Sequence, residues 1–213
     1  MIDVNLMNRR RLLLAAASVA ALTMAGPALA LRYEDQDFDD TLQLAGSPLV
    51  LNGVGEKAGK LFRAYSAGLY LGHKASTTDA VTAMSGPKRL QLRILLVVSK
   101  SVPIGPSSVD AEELVKPVII GVERNCTEAE RAALGERFNQ FTQNLRLVGK
   151  VKKHDVVNID FLPATGTTVT VNGKQWGTAV PGADLYIAFL KAFVGERPFD
   201  QKMKAGLLGQ AQS

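Results

Sequence analysis

Apolar and polar residues are spaced with two different periods along this chain. Thr41–Ala45 and Leu49–Val54 flank Gly46-Ser47-Pro48, the pattern of a short hairpin. Leu61–Leu71 is rich in Phe, Tyr and Leu and reads as a long strand, and Leu90–Val98 is apolar and β-branched enough for a buried central strand. Between residues 107 and 145 the period lengthens. Ser107 with Asp110 three residues on predicts a helix start, with Leu114, Val115, Val118, Ile119 and Val122 as its apolar stripe and a kink at Pro117. Thr127-Glu128-Ala129-Glu130 is a cleaner capping box, opening a second helix that buries Leu134, Phe138, Phe141 and Leu145. Period two then returns in Val156–Leu162 and Thr167–Val171, and Asn172-Gly173 predicts a tight hairpin into Lys174–Val180. Asp79–Met84 is a short helix closed by Gly86-Pro87. Asp184–Val194 is a longer one with Leu185, Phe189, Ala192 and Phe193 inward, stopped by Gly195, and Pro198 begins a last short helix. Residues 31–40 are acidic and aperiodic, a loose arm. Strands, helices, a hairpin group and C-terminal helices in that order predict an α+β domain, a mostly antiparallel sheet with helices on one face.

Residues 1–30 stand outside this pattern. Arg9, Arg10 and Arg11 precede an uncharged apolar run from Leu12 to Met24, and Ala28-Leu29-Ala30 supplies small residues where a signal peptidase cleaves. The run falls short of the roughly 20 apolar residues that span a bilayer, so a cleaved signal peptide is expected rather than an anchor. Export places the mature domain, residues 31–213, in a bacterial periplasm. The route is open, because Asn8-Arg9-Arg10-Arg11-Leu12-Leu13 fits a twin-arginine signal and a plain Sec leader alike. Cleavage also changes the charge. The whole chain carries +5, and removal of Asp3 and the three arginines leaves 22 basic and 19 acidic residues, a net +3. That mild, scattered excess lacks the concentrated basic stripe that nucleic acid requires.

Chemistry-bearing residues are few. Cys126 is the only cysteine, so no internal disulfide forms, and its place before a helix suits a small buried hydrophobe. Two histidines, His73 and His154, make no His-rich metal site, and no cofactor is expected. Gly53-Val54-Gly55-Glu56-Lys57-Ala58-Gly59-Lys60 imitates a phosphate loop. It has five residues where a Walker loop has four before Gly-Lys, and a strand follows where a helix is required, so it reads as a charged hairpin turn. Asp155 and Asp160 could flank a cleft or face solvent from an edge, and Arg124, Arg131 and Arg137 suit a solvated helix face. Lys57 and Tyr65 are the more interesting pair. If the chain reverses near Gly59, an ammonium and a phenol converge into a clamp for a carboxylate; otherwise they are two unrelated surface residues.

Several segments together resemble the chalcone isomerase-like superfamily, and within it the exported bacterial branch. They are Leu51-Asn52-Gly53-Val54-Gly55, Tyr65-Ser66-Ala67-Gly68-Leu69-Tyr70-Leu71, Gly86-Pro87-Lys88-Arg89-Leu90, Val169-Thr170-Val171-Asn172-Gly173, the Gly-x-Asp-Leu-Tyr run at 182–186, and Pro198 with Leu207-Leu208-Gly209. The resemblance covers residues 45–209. It implies an open-faced antiparallel sheet sandwiched with a helical layer and a ligand cleft between them. In the ring-closing isomerases an arginine in a Gly-x-Arg turn and a threonine on the next strand orient the substrate; these positions fall on Lys57 and Tyr65. In the fatty-acid-binding branch the strand residue is a tyrosine, so Tyr65 fits that branch and Lys57 departs from both. The tyrosine and asparagine that isomerases carry on their first long helix fall near Ser108 and Val115, which are not equivalent.

The resemblance therefore implies a non-catalytic periplasmic protein that binds a small amphipathic acid such as a fatty acid through Lys57 and Tyr65. Two other readings remain: a partner-binding or structural module of the envelope, and a weak isomerase. The leader carries its own test: intact mass of the protein recovered from the envelope is expected to show a chain starting at Leu31, and retention of residues 1–30 would overturn it.

Overall fold

The computed structural model describes residues 31–33, 36–58, 62–98 and 106–210. The leader and residues 59–61, where the charged turn was expected, lie outside these residues. In chain order the elements are β1 (Leu31–Tyr33), β2 (Gln36–Phe38), β3 (Thr41–Leu44), β4 (Ser47–Ala58), β5 (Phe62–Leu71), α1 (Thr78–Ala83), β6 (Lys88–Val98), β7 (Ser108–Asp110), α2 (Glu112–Asn125), α3 (Glu128–Leu147), β8 (Lys150–Lys152), β9 (Val156–Leu162), β10 (Gly166–Val171), β11 (Lys174–Val180), α4 (Ala183–Val194) and α5 (Gln201–Leu207). Seven strands form one antiparallel sheet in the order β11-β10-β9-β6-β5-β4-β3, curled into a half-barrel. The expected α+β architecture, an open-faced sheet with a helical layer, is the one observed.

The sheet is two-faced because its strands alternate in step. Tyr65, Ala67, Leu69 and Leu71 of β5, Leu90, Leu92 and Ile94 of β6, and Val157, Ile159 and Phe161 of β9 all join the main core beneath the helices. The residues between them face the other way. Arg89 holds Asp160 across the strands with two hydrogen bonds of 2.6 and 2.7 Å, and Gln91 donates to Asn158 at 2.9 Å. A smaller apolar cluster of Phe38, Leu44, Leu49, Leu51, Val54 and Tyr70 completes that second face.

The helical layer centres on α4, which buries Leu185, Tyr186, Ala188 and Phe189 among others. Gly121 of α2 lets that helix touch Ala192 of α4, since a Cβ there would lie 2.5 Å from the Ala192 Cα. The Thr127 capping box forms as expected: its hydroxyl accepts from Glu130 N, and Thr127 N donates to the Glu130 carboxylate at 2.7 Å. At the far edge of the sheet α3 reaches β11. Gln140 donates to the Thr178 hydroxyl at 2.8 Å and Asn144 to the Thr178 carbonyl at 2.7 Å, where Gly177 leaves room for the Asn144 side chain.

Several expectations need correction. Residues 31–40 are not a loose arm throughout: β1 pairs with β2, and the buried Phe38 ring lies against Gly68. Ser107 caps no helix. Ser108–Asp110 is instead a strand paired with β8, and α2 starts at Glu112, whose amide donates to the Asp110 carboxylate at 2.9 Å. α2 runs as one element through Pro117, while α3 breaks helical geometry at Gly135 (φ 46°). The first hairpin turns at Ala45-Gly46, both with positive φ, which puts Ser47 and Pro48 inside β4. Pro198 precedes the last helix rather than starting it, because Asp200 is its cap.

The phosphate-loop lookalike is also resolved. Gly53 to Ala58 is strand, not turn, so the expected charged turn can begin only after Ala58. Its glycines serve close packing. A Cβ on Gly53 would collide with the Gly206 carbonyl, one on Gly55 would lie 2.5 Å from the Met203 carbonyl, and one on Gly206 would strike the Val54 carbonyl. Gly53→Ala is therefore expected to lower stability by about 1–3 kcal/mol, as overpacking does. A urea midpoint that falls while the slope stays constant is the signature, and an unchanged midpoint refutes it.

Candidate functional site

Lys57 stands at the end of β4, and Tyr65 lies directly opposite it on β5. Residues so paired project to the same face of a sheet, here the helix-covered one. Tyr65 in turn pairs with Ile94 on β6. The chain reversal thus brings the two predicted residues together, as the clamp reading required.

A third residue completes the group. The Lys57 ammonium sits 3.2 Å from the Asp200 Oδ2 carboxylate oxygen, while Asp200 Oδ1 accepts from Met203 N at 3.1 Å and so caps α5. The Phe199 ring centroid lies 5.3 Å from the same ammonium, within cation–π range. The Lys57 side chain is 38% exposed and Asp200 17%, whereas Tyr65 is buried. Burial, and secondly the negative charge of Asp200, push the Tyr65 phenol far above its ordinary range, so it remains a neutral hydrogen-bonding group. Lys57 therefore holds a carboxylate already, and that carboxylate belongs to the chain.

From Phe199 a row of aromatic rings runs into the core. Phe199 meets Phe193 edge-on at 5.1 Å, Phe193 meets Phe189 at 5.1 Å, and Phe189 touches both Phe141 at 5.4 Å and Tyr186 at 5.5 Å. Tyr186 stacks on Phe161 at 5.4 Å and donates to the Ile159 carbonyl. The candidate site thus has one charged, partly exposed end, and the aromatic row behind it is packed into the core.

Sequence reasoning missed Asp200 and Phe199 because 143 residues separate Asp200 from Lys57. The available signal was Asp200 itself, a good N-cap residue three positions before Met203, hidden by starting the helix at Pro198.

The other candidates serve structure. Asp160 is held by Arg89 on the opposite face, and Asp155 accepts from Asn172 and from Lys152 N in a turn, so the two flank no common cleft. Arg137 clasps Asp184 and Arg131 donates to the carbonyls of Glu123 and Cys126, while Arg124 is exposed. Cys126 is buried, and burial raises its thiol pKa. Ser108 lies in β7 and Val115 is buried in α2, so neither brings a phenol or amide to Lys57. No cluster of metal-ligating side chains and no helix long and apolar enough to cross a membrane occurs among the described residues.

A separate open cavity of about 960 Å³ lies between β4 and the end of α5, lined by Val50, Asn52, Lys74, Ala75 and Gly209 among others. Two of its polar side chains, Asn52 and Lys74, are already engaged. The Asn52 amide donates to the carbonyls of Ala75 and Leu207 and accepts from Ala75 N, and Lys74 donates to the carbonyls of Leu51 and Asn52.

Three comparisons with known proteins bear on this geometry. The family described as chalcone isomerase-like matches residues 30–209. Comparison with curated proteins finds no match. Among solved structures, the fatty-acid binding protein of Arabidopsis thaliana superposes with a TM-score of 0.57 at 14% identity, over 81% of this chain and 91% of that one. At that identity the likeness speaks for the fold.

The buried phenols yield a pH prediction. Burial, then the charge of Asp39, raises the Tyr70 pKa from its ordinary 10.0 to about 12, and Tyr65 and Tyr186 are raised as well. The folded protein keeps these protons where the unfolded chain has lost them. Their contribution to stability is therefore full below pH 10.0 and is lost as pH climbs through about 12. The urea midpoint is expected to drop over that window and to drop less in Tyr70→Phe; equal slopes in both proteins would refute the assignment.

Proposed function

The chain belongs to the chalcone isomerase-like family, and on that footing we propose that it is a non-catalytic binding protein for a long-chain amphipathic acid, such as a fatty acid, held between sheet and helices. One observation carries this reading: Lys57 and Tyr65 stand opposite each other on neighbouring strands, the Lys57 ammonium already holds a carboxylate, and a row of aromatic rings begins beside it at Phe199. An ammonium supplies charge and up to three donors, and a phenol kept neutral by its burial supplies one directed hydrogen bond. Lysine lacks the flat two-pronged fork of arginine, so the head group is held as a point charge rather than clasped in a plane.

The solved Arabidopsis thaliana structure, named as a fatty-acid binding protein, agrees with this choice of ligand class. A non-catalytic role is supported by the groups at Lys57, a neutral phenol opposite it and a carboxylate on it, and by the resemblance, in which the isomerases' helix tyrosine and asparagine fall near Ser108 and Val115. Stabilising a developing phenolate charge takes preorganised donors, and these positions add none. Periplasmic action belongs to the same reading. It is supported by the leader's composition and by a family match that begins at residue 30, where the leader ends.

The test is direct. Mass spectrometry of the organic-soluble material copurifying with the protein is expected to find a fatty acid near one per chain. Lys57→Ala and Tyr65→Phe are each expected to weaken binding of hexadecanoate about tenfold, the worth of a hydrogen bond to a charged group, with little change in the urea midpoint. Unchanged affinity in both variants would overturn the site.

A further inference from the structure

We propose that Asp200 is the specificity-determining residue of this site, an in-chain carboxylate that a ligand's carboxylate must replace at Lys57. The inference rests on the fatty-acid reading above and adds to it how the site selects among amphiphiles.

The geometry splits the two oxygens of Asp200 between two tasks. Oδ1 caps α5 through Met203 N, and Oδ2 neutralises the Lys57 ammonium. Only the second bond has to break when an acid binds, so α5 can keep its cap while its carboxylate leaves Lys57. Phe199 is adjacent in the chain and covers the same ammonium, so one movement of the segment entering α5 uncovers both the charge and the start of the aromatic row. Tyr65 stands opposite Lys57 on the neighbouring strand, so a carboxylate that takes the place of Asp200 at Lys57 binds on the face of the sheet that the phenol shares.

Charge then decides what the site accepts. With Asp200 in place Lys57 is already neutralised, and an incoming carboxylate both displaces a partner and meets a like charge nearby. The head group alone therefore gains little. Each methylene buried along the hydrocarbon contributes about fourfold in affinity, so long acids overcome the competition and short ones do not. A neutral head group of the same chain length does not compete for Lys57 and is insensitive to Asp200.

Asp200→Asn isolates this effect, because asparagine is an equally good N-cap and keeps the oxygen that accepts from Met203 N. Binding of dodecanoate, hexadecanoate and hexadecanol is measured by displacement of a fluorescent polyene fatty acid. The proteins are the wild type, Asp200→Asn, Lys57→Met and the double variant. Asp200→Asn is expected to tighten both acids by the same factor, at least about threefold, as removal of a screened ion pair and a like charge requires. Hexadecanol binding is expected to stay unchanged, and the gain to vanish in the double variant relative to Lys57→Met. Binding by Asp200→Asn alone, with none by the wild type, supports the inference in its strongest form. If the wild type binds acids through Lys57 but Asp200→Asn binds them no better, the inference falls while the binding site stands. Equal tightening of acid and alcohol also overturns it, since Asp200 then acts by loosening α5. No binding by any of the four proteins removes the fatty-acid reading and the inference with it.

Discussion

At three glycines the backbone of α5 lies directly on the backbone of β4, and the rest of the candidate site depends on that contact. Gly53, Gly55 and Gly206 permit it, each blocked from carrying even a methyl group by a carbonyl of the facing segment. Because α5 sits this low, its N-terminal cap reaches the sheet surface at the end of β4. Asp200 can then serve a helix and a lysine at once. Were α5 lifted by the width of a side chain, Lys57 would lose its carboxylate and its aromatic cover together. The three glycines are remote from any chemistry, yet they set the geometry of the charged group.

The sheet beneath supports this through a strict division of its faces. All partners in register on β5, β6 and β9 share a side, so the helix-facing side is apolar and the opposite side carries a ladder of paired polar groups. The Arg89–Asp160 pair in that ladder is largely withdrawn from water, with both carboxylate oxygens bonded to one guanidinium. Such a pair contributes little net stability when intact, but loss of one partner leaves a buried charge and costs about 3–5 kcal/mol. It thus holds β6 and β9 in one register, the register that sets Leu90 opposite Ile159 in the core.

Most of this architecture was legible in the order of residues. β9 and β11 run over the residues that their period-two patterns marked, and the Thr127 box and the Asn172-Gly173 turn carried their own local signals. The errors arose where tertiary contact overrode local pattern. Residues 53–58 look like a glycine-rich loop because the requirement for glycine comes from α5, far along the chain. Residues 31–38 look featureless because their anchor is one ring, Phe38, seated on the bare backbone of Gly68. Of the candidate site, the pairing of Lys57 with Tyr65 across strands was visible through chain reversal. Asp200 was not, since no local rule pairs a helix cap with a distant lysine.

The half-barrel is not closed, so its outer strands present unpaired amides and carbonyls to which a second molecule could add a strand. At β11 this protein answers with a helix: Asn144 occupies the Thr178 carbonyl, Gln140 occupies the Thr178 hydroxyl, and the register slips between Thr167 and Val169. β3 is only four residues long at the opposite end. A chain whose one cysteine leaves it no internal cross-link has no covalent brace against self-association. Its protection against edge-to-edge pairing is therefore built into the margins of the sheet.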